Sequence, residues 1–274
     1  MEKKMSWVKC IAGILISFIF YLFVSEIILS LFLPVEILGN LYLAYGIKSF
    51  ICAIFFIFIV IAFGHKNRIG FTFKSFGKGF VVGAAMTVVS VVAFVVSLIW
   101  GFRDYGGPSI DTTSIITYVV ALFFGAGICE EFLTRAITMN FLRSALGNTK
   151  KGTILAIILS SLPFGLLHLI NLGSGDVIGT MGQILYAIGF GILLGAMYVR
   201  SKNIWANVVI HFIFDLGLLM YGVIFRGQAF TIAELLGNSY VILKSFGLFA
   251  LTTVVGFYLL RSSKLDPIIE GENA

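Results

Sequence analysis

Apolar residues run along this chain in long stretches separated by short polar segments. A helix of about 20 apolar residues crosses a bilayer core. Eight stretches meet that requirement: Trp7–Leu33, Leu41–Gly64, Phe80–Trp100, Ser114–Leu142, Ile154–Ile170, Thr180–Val199, Ile204–Phe225 and Tyr240–Leu260. The pattern predicts an all-α, polytopic protein of about eight transmembrane helices. No polar linker is long enough to divide it, so residues 1–274 read as one membrane domain. The first stretch follows lysines as a signal peptide would. Its apolar run is too long for one and no small-residue cleavage site follows, so it reads as a retained span.

Composition agrees. The chain is 59% hydrophobic and 12% charged, against about 45–50% and about 25% in soluble domains, which excludes a water-soluble enzyme. Four prolines and 30 glycines suit long helices packed closely in lipid. Three cysteines, Cys10, Cys52 and Cys129, lie inside apolar runs and indicate no disulfide framework.

The net charge of +6 is explained by where the cations fall. Lys3, Lys4 and Lys9 open the first span, and Lys66, Arg68, Lys74 and Lys78 lie between the second and third. Arg143, Lys150 and Lys151 follow the fourth, Arg200 and Lys202 the sixth, and Arg261 and Lys264 the eighth. The opposite ends hold Arg103 and Arg226. Such asymmetry predicts that both termini lie in the cytoplasm. The lipid bilayer accounts for the basic balance, and nucleic acid need not be invoked. The compact, lysine-rich chain suggests a bacterial plasma membrane.

The polar residues inside the apolar runs carry the chemistry. An ionisable group at bilayer depth costs at least about 2.5–3.5 kcal/mol on insertion scales, so a cluster of them points to function. The fourth span contains Glu130, Glu131 and Arg135, the fifth ends near His168, and the seventh carries His211 and Asp215. In an α-helix Glu130 and Glu131 point about 100° apart and serve different partners. Glu131 and Arg135 are four apart with the carboxylate first, the favourable order for an ion pair. That pair alone reads equally well as structural glue. Glu130 lacks a neighbouring cation and is placed to act as a general base for water. Asp215, four after His211, is placed to fix the imidazole's orientation. If the three spans adjoin, Glu130, His168 and His211 would also supply the three-ligand set of a catalytic Zn2+ site; the same groups can activate water without metal. Asn207, one turn before His211, lies within reach of the site, and Phe164 is a packing residue near the cavity wall. Gly191 and Gly195 predict close helix contact, and Thr134 and Asn140 are placed to bond neighbouring helices. His65 falls in a basic loop where solvation suffices.

The motifs Glu-Glu-x-x-x-Arg, Phe-x-x-x-His and His-x-x-x-Asp occur in order on separate spans, within a core of about residues 114–225. Together they resemble the CPBP intramembrane proteases, the CAAX prenyl proteases and the bacteriocin-linked Abi group. The resemblance implies an eight-span helical fold with a polar cavity opening toward the cytoplasmic half of the bilayer. It implies peptide-bond hydrolysis in a membrane-associated peptide or lipidated protein C-terminus. Glu130 and His168 would activate water, Glu131 and Arg135 arrange the site, and His211 and Asp215 bind metal or stabilise the oxyanion. Members of the CAAX type commonly carry asparagine where this chain has Asp215. An ionised aspartate cannot donate a hydrogen bond, so Asp215 is expected to orient His211.

Two other classes fit some of these features. A proton-coupled transporter would use similar relays, but such folds often show repeats and interrupted helices, and neither is visible here. A non-catalytic scaffold or bacteriocin immunity protein would need the cluster only for structure. Gly173-Ser174-Gly175-Asp176 spells an aspartyl-protease motif but falls in a predicted loop, where a turn is expected.

Overall fold

A computed structural model places eight long apolar helices along the chain, as the hydrophobic runs predict. It describes residues 4–237 and 239–273, with backbone alone at Ser25, Glu26, Ile28, Ser30, Ile232 and Asn273. Lys3, one of the basic residues weighed above, lies outside the described residues. The helices are α1 (Trp7–Val24), α2 (Leu41–Ala62), α3 (Ala84–Tyr105), α4 (Thr112–Leu146), α5 (Lys150–Ser174), α6 (Val177–Ser201), α7 (Ile204–Phe225) and α8 (Val241–Leu259). No strand occurs among the described residues.

The starts of these helices are written in the sequence. Ser6, Asn40, Asp111, Thr149, Asp176 and Asn203 each stand at an N-cap, where the side chain accepts from a backbone N–H three residues on. Each such cap is worth about 1 kcal/mol relative to alanine. The third span starts later than its hydropathy suggests, because Gly83 separates a short helix, Phe73–Val82, from α3.

Packing inverts the plan of a soluble protein. Large apolar side chains such as Val88, Ile99, Leu251 and Val254 are exposed on α3 and α8, as a face toward lipid requires. Glu131, Arg135, Asn207 and His211 are buried within. Helix α6 packs between α5 and α8, while α7 packs against α3 and α4. Glycines set the close approaches. A Cβ on Gly191 would lie 2.9 Å from Ser161 Cβ, and one on Gly195 would lie 3.0 Å from Ile157 Cγ2. The expected small-residue contact is therefore between α6 and α5. At Gly165 the neighbour is backbone, with Ile184 O only 2.8 Å away.

The first and the last described segments meet one end of the bundle. Met5 N donates to Ser144 O at 3.2 Å. The last helix, Ser262–Asn273, buries Leu265 and brings Glu272 within 2.5 Å of Arg143, 3.1 Å of Lys202 and 3.6 Å of Arg68. The basic residues that the charge pattern groups together thus share the end that holds both termini. His65 differs from its reading as a solvated loop residue: it is 4% exposed and lies against the Phe141 ring at 5.1 Å.

Candidate active site

The centre of α4 is wound as two π-helical segments, Phe123–Glu130 and Phe132–Met139, flanked by α-helix. In a π turn each N–H reaches back five residues, a form concentrated at functional sites. Glu131 stands at the junction of the two segments and Arg135 is buried beside it. Arg135 Nη1 donates to Glu131 Oε1 at 2.8 Å and to Thr134 Oγ1 at 2.7 Å; Nη2 reaches Gly191 O at 3.4 Å. The guanidinium carbon lies 4.4 Å above the Phe164 ring, a cation–π contact in a water-poor interior. Thr134 itself donates to the Glu130 carbonyl within its own helix. Of the two residues expected to bond across helices, Asn140 does so, donating to Tyr198 Oη at 2.8 Å.

Glu131 also holds the histidine of α7. His211 Nδ1 lies 3.0 Å from Glu131 Oε1, and Asn207 Nδ2 donates to Glu131 Oε2 at 3.2 Å and to Leu194 O at 2.7 Å. With Nδ1–H given to Glu131, the imidazole turns Nε2 outward. That nitrogen lies 3.5 Å from Asp215 Oδ2 and 3.9 Å from Glu130 Oε2. The orienting carboxylate is therefore Glu131, from another helix. Asp215 meets the opposite edge of the ring and faces its reactive nitrogen. Asp215 lies within reach of His211, as their spacing of four predicts, while the nearer carboxylate, Glu131, stands on a neighbouring span that helical spacing alone cannot see.

His168 closes α5, where the chain tightens from α-helix into a short 3-10 segment, His168–Ser174. Its Nδ1 faces Phe164 O at 3.1 Å and Gly165 O at 3.3 Å. Two carbonyls there fix the hydrogen on Nδ1 and leave Nε2 as the acceptor. Phe164 makes ring contacts with both histidines, at 5.6 Å to His168 and 6.0 Å to His211. It is 2% exposed and binds the charge pair, both imidazoles and the helix packing into one unit. Cys129, beside Glu130, donates its thiol to Ser49 O.

A cavity of about 70 Å³ is lined by Phe164, His168, Gln183, Tyr186, His211 and Asp215, together with apolar residues of α6 and α7 and Leu235. One water needs only about 10–15 Å³ on this measure. The cavity therefore brings the second and third motifs together, and Glu130 reaches His211 from α4. As a ligand set for Zn2+, Glu130, His168 and His211 do not fit: among the described residues no group of three or more His, Cys, Asp or Glu side chains is arranged to hold a metal ion. Each imidazole has one nitrogen engaged with a protein acceptor, and the other nitrogen of His211 is flanked by the carboxylates of Glu130 and Asp215.

The cavity lies toward one end of the bundle. Gln183 and Tyr186 lie in the first half of α6 and Leu235 in the connection between α7 and α8, so the lining gathers at the end of the bundle away from Arg143, Lys202 and the termini. That end also carries a short helix, Ile232–Leu235, whose last residue joins the lining. Asp176 Oδ1 accepts from Gly179 N at 2.8 Å as the cap of α6, and its Oδ2 accepts from Ala233 N at 3.1 Å. The Gly-Ser-Gly-Asp string is thus a turn and helix cap, as expected. Gln183 and Tyr186 escaped the sequence reading. Their signal was faint: two polar side chains three apart in an otherwise apolar span.

Residues 112–217, from the start of α4 into α7, match the family described as Type II CAAX prenyl endopeptidase Rce1-like. This is the protease family that the three motifs resemble. No curated protein matches the chain. The matched segment contains Glu130, Glu131, Arg135, His168, His211 and Asp215. The match supports a CAAX-type intramembrane endopeptidase in general terms, and with eight apolar helices it supports a multi-pass integral membrane protein.

Proposed function

We propose that this chain is an intramembrane endopeptidase in which Glu130 takes a proton from water while the water oxygen attacks a peptide carbonyl. The reading is supported above all by the convergence of His168, His211 and Asp215, from two apolar helices, on one small cavity, with Glu130 of a third helix 3.9 Å from His211 Nε2. In the first step the carbonyl π pair moves onto oxygen and Glu130 holds the water proton. In the second the C–N bond breaks, the oxygen pair re-forms the carbonyl, and that proton passes to the leaving amine. Imidazole nitrogens facing the cavity from His168 and His211 hydrogen-bond the water and steady the proton. Glu131 and Arg135 keep His211 in its working orientation, and Asp215 offsets positive charge that develops on the ring. No step is routed through a metal.

The substrate is a membrane-associated peptide, either a prenylated protein C-terminus or a leader-type peptide of a bacterial precursor. A peptide segment drawn into the bilayer loses water from its amide groups, and the polar cavity returns hydrogen bonds to the one bond that is cut. The decisive measurement uses full-length protein in detergent micelles with two internally quenched peptides of one sequence, one farnesylated at a C-terminal Cys-aliphatic-aliphatic-Met motif and one not. Wild type is expected to cleave at least one of them. Glu130→Gln is expected to lower the rate by at least about a hundredfold, the lower range for losing a general base, without changing the thermal midpoint. Cleavage by Glu130→Gln at the wild-type rate, or no cleavage by wild type, would overturn the reading.

A further inference from the structure

Amide hydrolysis places negative charge on the carbonyl oxygen in the transition state, and a donor aimed at that oxygen is usually the largest single source of rate. The groups already described are poorly supplied with one. Arg135 is engaged with Glu131, Thr134 and Gly191. His211 gives Nδ1–H to Glu131, and Nδ1 of His168 faces two carbonyls. Asp215, as a carboxylate, accepts only.

Tyr186 and Gln183 remain on the cavity wall. Asn171 Nδ2 donates to Gln183 Oε1 at 2.8 Å, which leaves the Gln183 amide nitrogen to donate. The Gln183 amide and the Tyr186 phenol, one helical turn apart on α6, line the same wall of the cavity that His211 and Asp215 share. A phenol that accepts from an amide keeps its own O–H to give, and hydrogen bonds in series strengthen one another.

We propose that Tyr186 donates its phenolic hydrogen to the substrate carbonyl oxygen as it becomes an oxyanion, and that Gln183, itself held by Asn171, is the positioning residue for that phenol. This rests on the endopeptidase reading above. Tyr186 keeps its proton throughout: it bonds the oxyanion while the C–O π pair resides on oxygen and releases the oxygen when the C–N bond breaks.

The test uses full-length Tyr186→Phe with the same two quenched peptides. It is expected to lower kcat by about a hundredfold, the lower range for losing one such donor, with KM within about threefold of wild type. Gln183→Leu, which leaves the phenol in place but frees it to turn, is expected to lower kcat about tenfold in the same sense. An aldehyde analogue of the cleaved peptide, hydrated to a tetrahedral form, is expected to inhibit Tyr186→Phe about a hundredfold less tightly than wild type. Tyr186→Phe with wild-type kcat, or with a change confined to KM, would overturn this inference and leave the endopeptidase reading standing. Failure of wild type to cleave either peptide would overturn both. Should Tyr186→Phe fail to fold, Gln183→Leu decides: wild-type kcat in that variant overturns the inference.

Discussion

Glu131 and Glu130 are adjacent carboxylates with opposite duties. Glu131 is 0% exposed and accepts from Arg135, His211 and Asn207. Neutralising it leaves a buried guanidinium without its counter-charge, and breaking such a pair costs about 3–5 kcal/mol. Glu131→Gln is therefore expected to lose both activity and thermal stability in micelles, by about that amount, whereas Glu130→Gln loses activity alone. Equal stability of the two variants would show that Glu131 does not anchor the site. Much of this was legible in the residues: charged groups inside apolar runs stand out because lipid makes them costly. The partner of His211 Nδ1 was not legible. Spacing rules relate residues on one helix and pointed to Asp215, while the bond that orients the ring crosses from α7 to α4.

At the scale of helices, the eight hydrophobic runs foretold eight long apolar helices because run length is set by bilayer thickness, whereas the polar caps that fix where most of them begin fall outside the hydropathy pattern. The π winding of α4 was not foretold. Hydropathy does not distinguish a bond to the fourth residue back from one to the fifth, and Glu131–Arg135 remain neighbours in either winding. The glycines at helix contacts decide how closely the motif-bearing helices approach. Gly165 sits between Phe164 and the turn that presents His168, and a methyl group there would lie 2.8 Å from Ile184 O and 2.5 Å from Ile188 Cγ1. Gly165→Ala is expected to push α5 from α6, cost about 1–3 kcal/mol through overpacking, and lower peptide cleavage although every charged group remains. Wild-type activity in Gly165→Ala would show that the cavity does not depend on this approach.

For the molecule as a whole, the last helix is fastened at the basic end by Glu272. Burial works against its charge, but Arg143, Arg68 and Lys202 outweigh that and hold the carboxyl below its ordinary range. A carboxyl whose value falls on folding stabilises fully above its unfolded value and loses that contribution as pH falls through the folded one. The helix Ser262–Asn273 is therefore expected to loosen below about pH 4.3, the ordinary glutamate value. A polarity-sensitive dye at Gly271→Cys should report the change, and adding Glu272→Gln should remove the pH dependence while leaving the helix loose throughout. A dye signal independent of pH in both proteins would refute the fastening. Charge asymmetry along the sequence did foretell that the basic loops share one end. It said nothing of which end the cavity faces, since the lining comes from polar residues too few to form a pattern.

Asp176 gives that far end a particular character. One of its oxygens is committed to the start of α6, and the other holds the amide of Ala233, which keeps Leu235 over the cavity. A tether made of one amide hydrogen bond is worth about 0.5–1.5 kcal/mol net. Because the two bonds use different oxygens, losing the one to Ala233 leaves the cap of α6 intact, so the short helix can shift without unwinding the helix that holds it.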